Sequence, residues 1–245
     1  MLPIGLKRYP FEGIANFRDL GGCPIGQSAM TRYQVFFRST HLNKATENDI
    51  ARLKELNIRT VIDLRHPFEE AAQPDAIKKD PFFNWIHLSL LGDITFEYLA
   101  DKLDTKTRNN TSLYILYSLL IERNPNGVCQ LMRLLAQGCQ QGAVLFHCSA
   151  GKDRTGLTAL LLQGLVGVNR QDLVTEYEVS HSHLYDFCPQ DISGSHYDNM
   201  ERLLTDIEAK YGSICGYLTH IGLTEGDKKV LTERLCQPFY TDGRI

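Results

Sequence analysis

The run AVLFHCSAGKDRTGLTALLLQGL (143–165) constrains the fold more than any other part of the chain. Its first five residues are apolar up to His147. That reads as a strand buried on both faces, and such strands belong to parallel sheets covered by helices. From Gly156 to Gly167 the sequence is apolar nearly all round, which reads as a central buried helix. A tight loop joins the two. Strand, loop and helix in this order predict an α/β fold with a central, mostly parallel sheet flanked by helices on both faces. Any site should then lie at the C-terminal end of a strand.

The rest of the chain fits that frame. Short apolar or β-branched runs at 35–38, 59–65 and 85–90 read as further strands, and 14–22 as a turn after a short strand. Helical spacing is expected over 46–57, opened by Thr46 with Asp49 as a capping pair, and over 128–138, 171–179, 198–210, 214–221 and 225–235. Residues 91–125 read as mainly helical with a break at NNTS (109–112), and 182–197 as the least regular stretch. No repeat or Gly/Ser linker divides the chain, so one domain over 1–245 is expected.

Composition narrows the function classes. Lys+Arg is 26 and Asp+Glu is 29, for a net charge of −3. No global basic field exists to coat nucleic acid, so nucleic acid is not an expected partner, and anion binding must come from a local constellation. No apolar run approaches the roughly 18 residues that span a bilayer, so stable membrane insertion is not expected. The start, MLPIGLKRYPFEG, lacks the apolar stretch of a signal peptide. The Cys count is seven, with no C-x-x-C pair, so no zinc knuckle is indicated and at least one thiol stays free. A reduced cytoplasmic setting is expected, with export by an uncleaved route as the alternative.

The loop carries the chemistry. Backbone N–H groups at a strand–loop–helix junction and the helix N-terminus form an anion site. Gly151 permits the turn, Arg154 supplies a planar fork for two phosphate oxygens, and Lys152 adds a second positive charge. The same field acts on Cys148. A free thiol titrates near ~8.5, whereas thiols at helix N-termini beside cations fall to roughly 3.5–7.5. Cys148 is therefore the candidate nucleophile, and the amides of Ser149, Ala150, Gly151, Lys152, Asp153 and Arg154 the candidate substrate cradle. Thr155 is placed to donate to the thiolate as it leaves. His147 reads as an orienting residue rather than a base.

The pattern H-C-x-x-G-x-x-R-[ST]-G, here His147 to Gly156, resembles that of cysteine-dependent tyrosine phosphatases and their dual-specificity relatives. Its chance occurrence in a chain like this is on the order of 10⁻⁵. With NFRDLGG (16–22), Arg38–Ser39, Asp63–Leu64–Arg65 with Glu69, and YGSICGYL (211–218), the chain resembles the bacterial-type tyrosine/serine phosphatase family over about 14–235. The resemblance implies a tyrosine-phosphatase-like fold and hydrolysis of phosphotyrosine. It also implies action on phosphoserine/threonine and phosphoinositides, all through a phosphocysteine intermediate, with no cofactor and no metal. The expected partner is a phosphorylated protein or a phosphoinositide. In lipid-acting relatives with HCxxGKxR loops, the position of Lys152 faces a second phosphate.

The general acid is left open between two residues. The chain has one Trp, Trp85, and no W-P-D loop. The family resemblance implies a catalytic part for Asp153, which could otherwise pair with Arg154 or cap the helix. Asp93 follows the strand 85–90 on the rim where Cys148 is expected. Elsewhere, Asn16, Arg18 and Asp19 read as a buried turn beneath the loop, and Arg65 with Glu69 as a local ion pair. His181 and His183 read as surface residues. The rival functions are a phospho-binding pseudophosphatase, against which Cys148 and Arg154 argue, and a rhodanese-like sulfur transferase, whose loop lacks the R-[ST]-G run. A Walker-type nucleotide binder needs Ser or Thr where Asp153 stands.

Overall fold

The computed structural model describes residues 9–94, 110–185 and 197–239. Its main sheet has five strands in the order β1 (Arg18–Asp19), β4 (Phe36–Ser39), β7 (Ala143–His147), β5 (Ile58–Asp63) and β6 (Asn84–His87). Only β1 runs antiparallel to its neighbour; the β4–β7, β7–β5 and β5–β6 pairings are parallel. All five residues of β7 are buried, as its unbroken apolar run requires. The register sets Ser39 and Asp63 on either side of His147, so three strands end level at one rim.

One face of the sheet carries the larger core. Phe36, Ile62, Val144 and Phe146 pack there against helices α3 (Asn110–Arg123), α4 (Pro125–Gly138), α5 (Asp153–Leu165), α6 (Arg170–Glu178), α8 (Tyr197–Tyr211), α9 (Ile214–His220) and α10 (Glu225–Leu235). The other face has a smaller core of Phe17, Phe37, Val61 and Leu145, covered by Leu53 of α1 (Glu47–Glu55). Two short helices, α2 (Pro67–Ala72) and α7 (Ser180–Leu184), complete the described helices. None of these helices is long and apolar enough to cross a membrane.

Local signals explain most boundaries. Thr46 and Asp49 form a reciprocal capping box at α1, and Asp49 also accepts from the backbone N–H groups of Glu12 and Gly13 at 2.8 and 2.7 Å. Helix α4 begins earlier than its apolar spacing suggests, because Asn124 caps it and Pro125 fits its first turn. Helix α3 starts inside the NNTS stretch, at Asn110, and what precedes it lies outside the described residues. One feature departs from expectation. A second, antiparallel sheet of β2 (Pro24–Ile25), β3 (Ala29–Thr31) and β8 (Cys236–Pro238) was not foreseen, since strands this short carry no readable alternation. The irregular stretch at 182–197 and the expected helix before 110 fall largely outside the described residues.

Candidate active site

The loop after β7 is shaped by what holds its carbonyl groups. Ser149 O accepts from the His41 N–H at 3.2 Å. Asn16 Nδ2 donates to Ala150 O at 3.1 Å and Gly151 O at 3.0 Å. Arg38 Nη2 donates to Gly151 O at 2.7 Å and Lys152 O at 3.3 Å. In a trans peptide the C=O and the next N–H point in opposite directions. Pinning the carbonyls of residues 149–152 therefore turns the N–H groups of 150–153 the other way, as a cradle for an anion requires. Gly151 sits at φ +66°, and a Cβ there would stand 2.1 Å from Ser39 O, so no larger residue fits against the end of β4.

Beneath the loop lies a buried positive charge. Arg18 donates from Nε to Glu176 at 2.6 Å and from Nη1 to Asn16 Oδ1 at 2.5 Å, and it also reaches Ser180. Arg38 Nη1 stands 3.5 Å from the same Glu176 carboxylate. Two guanidinium groups thus share one carboxylate. Burial, then the charge of Arg18, bring Arg38 down to about 9, which still leaves it charged at neutral pH. Asn16 adopts φ +53°, a left-handed conformation that Asn tolerates better than most residues.

Arg154 is the second residue of helix α5 and is held by Glu69 from α2. Nη1 and Nη2 donate to the two carboxylate oxygens at 2.5 and 2.8 Å, and Ser149 Oγ donates to Glu69 Oε1 at 2.5 Å. Burial opposes the Glu69 charge, but the Arg154 hydrogen bond and charge, with Ser149, outweigh it and lower the carboxyl to about 2. End-on pairing uses one N–H of each Nη, and among the described residues the remaining guanidinium donors have no partner, which suits them to phosphate.

His147 is fully buried behind Cys148, itself 2% exposed. Its Nδ1 lies 3.3 Å from Cys148 O and its Nε2 forms an ion pair with Asp75 at 2.9 Å. Burial disfavours the imidazolium, but Asp75 and then Asp63 raise its pKa. Arg65 bridges Asp63 Oδ2 at 2.7 Å and Asp75 Oδ1 at 3.1 Å, and Trp85 Nε1 donates to Asp75 at 3.0 Å. Asp63, Asp75 and His147 are close enough to ligate one metal ion. The Arg65 guanidinium already supplies the positive charge there, so the trio reads as a buried ion-pair network.

The acid candidates are separated. Asp153 is the first residue of α5 and partly exposed; Tyr117 donates to its Oδ1 at 2.6 Å, and Lys152 Nζ lies 3.8 Å from the same oxygen. Among the described residues no hydrogen bond or ion pair joins it to Arg154, whose charge acts on it only through space. Asp93 lies in an exposed turn after β6, and among the described residues no hydrogen bond or ion pair joins it to the loop. Thr155 Oγ1 is buried with no hydrogen-bond partner among the described residues.

The sequence profile described as "Tyrosine phosphatase family" matches residues 9–237. The chain belongs to the tyrosine phosphatase family. It is accordingly a protein-tyrosine-phosphatase by enzyme class. It is 33% identical to a tyrosine-protein phosphatase of Nostoc commune, over 83% of this chain and 74% of the relative. It is 29% identical to the triple specificity protein phosphatase PtpB of Mycobacterium tuberculosis, over 67% of this chain and 66% of that protein. Among solved structures, P. aeruginosa TpbA in complex with pTyr aligns with 71% of this chain and 90% of its own, at 18% identity and a TM-score of 0.38.

In this phosphatase the residues 147–155 singled out by sequence gather at the rim where β4, β7 and β5 end. Asn16 and Arg18 do lie beneath the loop; Asp19 instead ties the N–H groups of Gly21 and Gln34, both at 2.8 Å. The expected Arg65–Glu69 pair does not form. His66, before Pro67, is held extended, so α2 starts only after it and residues 65 and 69 never share a helix face. Glu69 as the clamp on Arg154 was missed. The available signal was His66-Pro67-x-Glu69, a capping box with proline at the first turn.

Proposed function

We propose that this phosphatase hydrolyses phosphotyrosine through a phosphocysteine intermediate and also accepts phosphoserine/threonine and phosphoinositides. What supports the reading is that every carbonyl from 149 to 152 is tied down by His41, Asn16 or Arg38, which turns the loop amides to the side on which, in this reading, Cys148 and Arg154 complete one cup.

In the first step the Cys148 thiolate attacks phosphorus. The S–P bond forms, the ester O–P bond breaks, and Asp153 gives its proton to the leaving oxygen. The loop amides and Arg154 hold the equatorial oxygens, which carry the transition-state charge. In the second step water attacks phosphorus, its proton passes to Asp153, and the S–P bond returns its electrons to sulfur. Thr155, whose hydroxyl has no hydrogen-bond partner among the described residues, stabilises the sulfur as it leaves. Charge neutralisation by Arg154, Lys152 and backbone amides leaves no step that calls for a metal. PtpB is named for triple specificity, and this supports the broader substrate range. Lys152, 4% exposed within the loop, is the residue assigned to a second substrate phosphate.

The test is phosphate release from phosphotyrosine, phosphoserine/threonine and phosphoinositide substrates with wild type, C148S and K152A. C148S is expected to be inactive on all, and K152A to lose inositide hydrolysis selectively. Uniform loss in K152A would remove its selecting role, and turnover by C148S would remove the mechanism.

A further inference from the structure

Two buried tyrosines stand behind Asp153. Tyr117, from α3, donates to Asp153 Oδ1 at 2.6 Å, and its oxygen lies 2.6 Å from the hydroxyl of Tyr177, from α6. Their rings meet edge-on with centroids 5.9 Å apart. Both side chains are almost wholly buried, at 0% and 1% exposure. A phenol has one proton to donate. Tyr117 gives its proton to the carboxylate, so Tyr177 must donate to Tyr117, and the chain of bonds runs one way into Asp153. Gly156 makes the room for this: a Cβ there would stand 3.0 Å from Tyr177 Cδ2. Burial and then the Asp153 charge push both phenols above their ordinary range, so neither loses its proton near neutrality.

We infer that Tyr117, oriented by Tyr177, is a positioning residue that selects which Asp153 oxygen carries the catalytic proton. The inference rests on Asp153 being the general acid. A protonated carboxyl can carry its proton on either oxygen, and only one of them faces a leaving group. The Tyr117 donor occupies Oδ1, and Lys152 Nζ sits beside the same oxygen. A proton on Oδ1 would face a hydroxyl hydrogen and a cation, so it rests on Oδ2 instead. Arg38 and Arg154 are the other charges that act on Asp153. They bear on the carboxylate as a whole, and among the described residues only the tyrosine makes a directed hydrogen bond to one oxygen.

The test is a double-mutant cycle read with two aryl phosphates. Tyr117→Phe keeps the ring and its packing but removes the directing donor. On phenyl phosphate, whose leaving oxygen needs a proton, kcat should fall about tenfold, a fraction of what a general acid contributes. On p-nitrophenyl phosphate, a good leaving group, it should change by less than about twofold, with KM unchanged on both. Tyr177→Phe should show a weaker loss with the same leaving-group pattern, and it carries the test if Y117F melts at assay temperature. Added to D153N, Y117F should cost nothing further. Equal losses on both substrates, no loss on either, or an additional loss in the D153N background would each overturn the positioning role. D153N alone separates the two levels. If it fails to discriminate between the leaving groups, the acid assignment itself is wrong; if it discriminates and Y117F does not, only the tyrosine inference fails.

Discussion

Glu69→Gln measures how much the Arg154 fork depends on its carboxylate. The two side chains are 24% and 13% exposed, so solvent screens the pair only in part. The Glu69 carboxyl falls from 4.5 to about 2. A fall of that size corresponds to about 3 kcal/mol of preference for the charged form, shared among Arg154, Ser149 and the His66 N–H and opposed by burial. Gln keeps the shape and one acceptor oxygen. E69Q should therefore lose roughly 1–3 kcal/mol of stability at neutral pH. Its kcat should fall about 10²-fold, because a guanidinium free to rotate no longer meets the transition state in register. The pH dependence has a definite sign. The carboxyl is lowered on folding, so its contribution is complete above about 4.5 and disappears as pH falls towards about 2. Urea unfolding from neutral pH down to about 3, with steady-state kcat measured at neutral pH, reads both effects. The wild type should lose stability through that window more steeply than E69Q. A variant with wild-type turnover, or two stability curves that fall in parallel, would refute the clamp.

Three further outcomes follow from the same geometry. G151A places a Cβ 2.1 Å from Ser39 O at φ +66°, so it should lose roughly 3 kcal/mol or more and nearly all activity; wild-type melting would mean the loop is built differently. D153N should cut kcat on poor leaving groups about 10²-fold and flatten the limb of the pH profile that belongs to the acid, whereas D93N should do neither; equal, mild effects from both would remove Asp153 from the role. Burial disfavours the His147 charge, and Asp75 more than restores it. The stability this adds is complete below the ordinary histidine value and is lost as pH rises through the higher folded one. D75N should flatten that alkaline decline in unfolding experiments, and an unchanged slope would argue against the pairing.

What was legible in the sequence was local. The unbroken apolar run of β7, the cap Thr46–Asp49 and the close spacing of Cys148, Gly151 and Arg154 depend on residues a few positions apart, where backbone preference and periodicity act. The parts that were not legible depend on distant partners. Glu69 meets Arg154 across 85 positions, and Asn16 reaches Gly151 across 135. Asp75 gave no sign of its pairing with His147. The Arg65–Glu69 expectation failed because spacing by four implies contact only within a helix, and Pro67 starts α2 after Arg65. The three-stranded sheet was invisible for a related reason: its strands of two or three residues are defined by their pairing, and the pairing joins chain segments around 30 and 237. Tyr117 and Tyr177 carry no local signal either, because their hydroxyl groups meet Asp153 across 36 positions and each other across 60.

The most direct measurement is acid quenching during turnover of an aryl phosphate, followed by peptide mapping with mass spectrometry. A phosphoryl group on the Cys148 peptide of the wild type, absent in C148S and accumulating in D153N, is the expected result. Turnover without label at Cys148, or label on another residue, would contradict covalent catalysis at this sulfur.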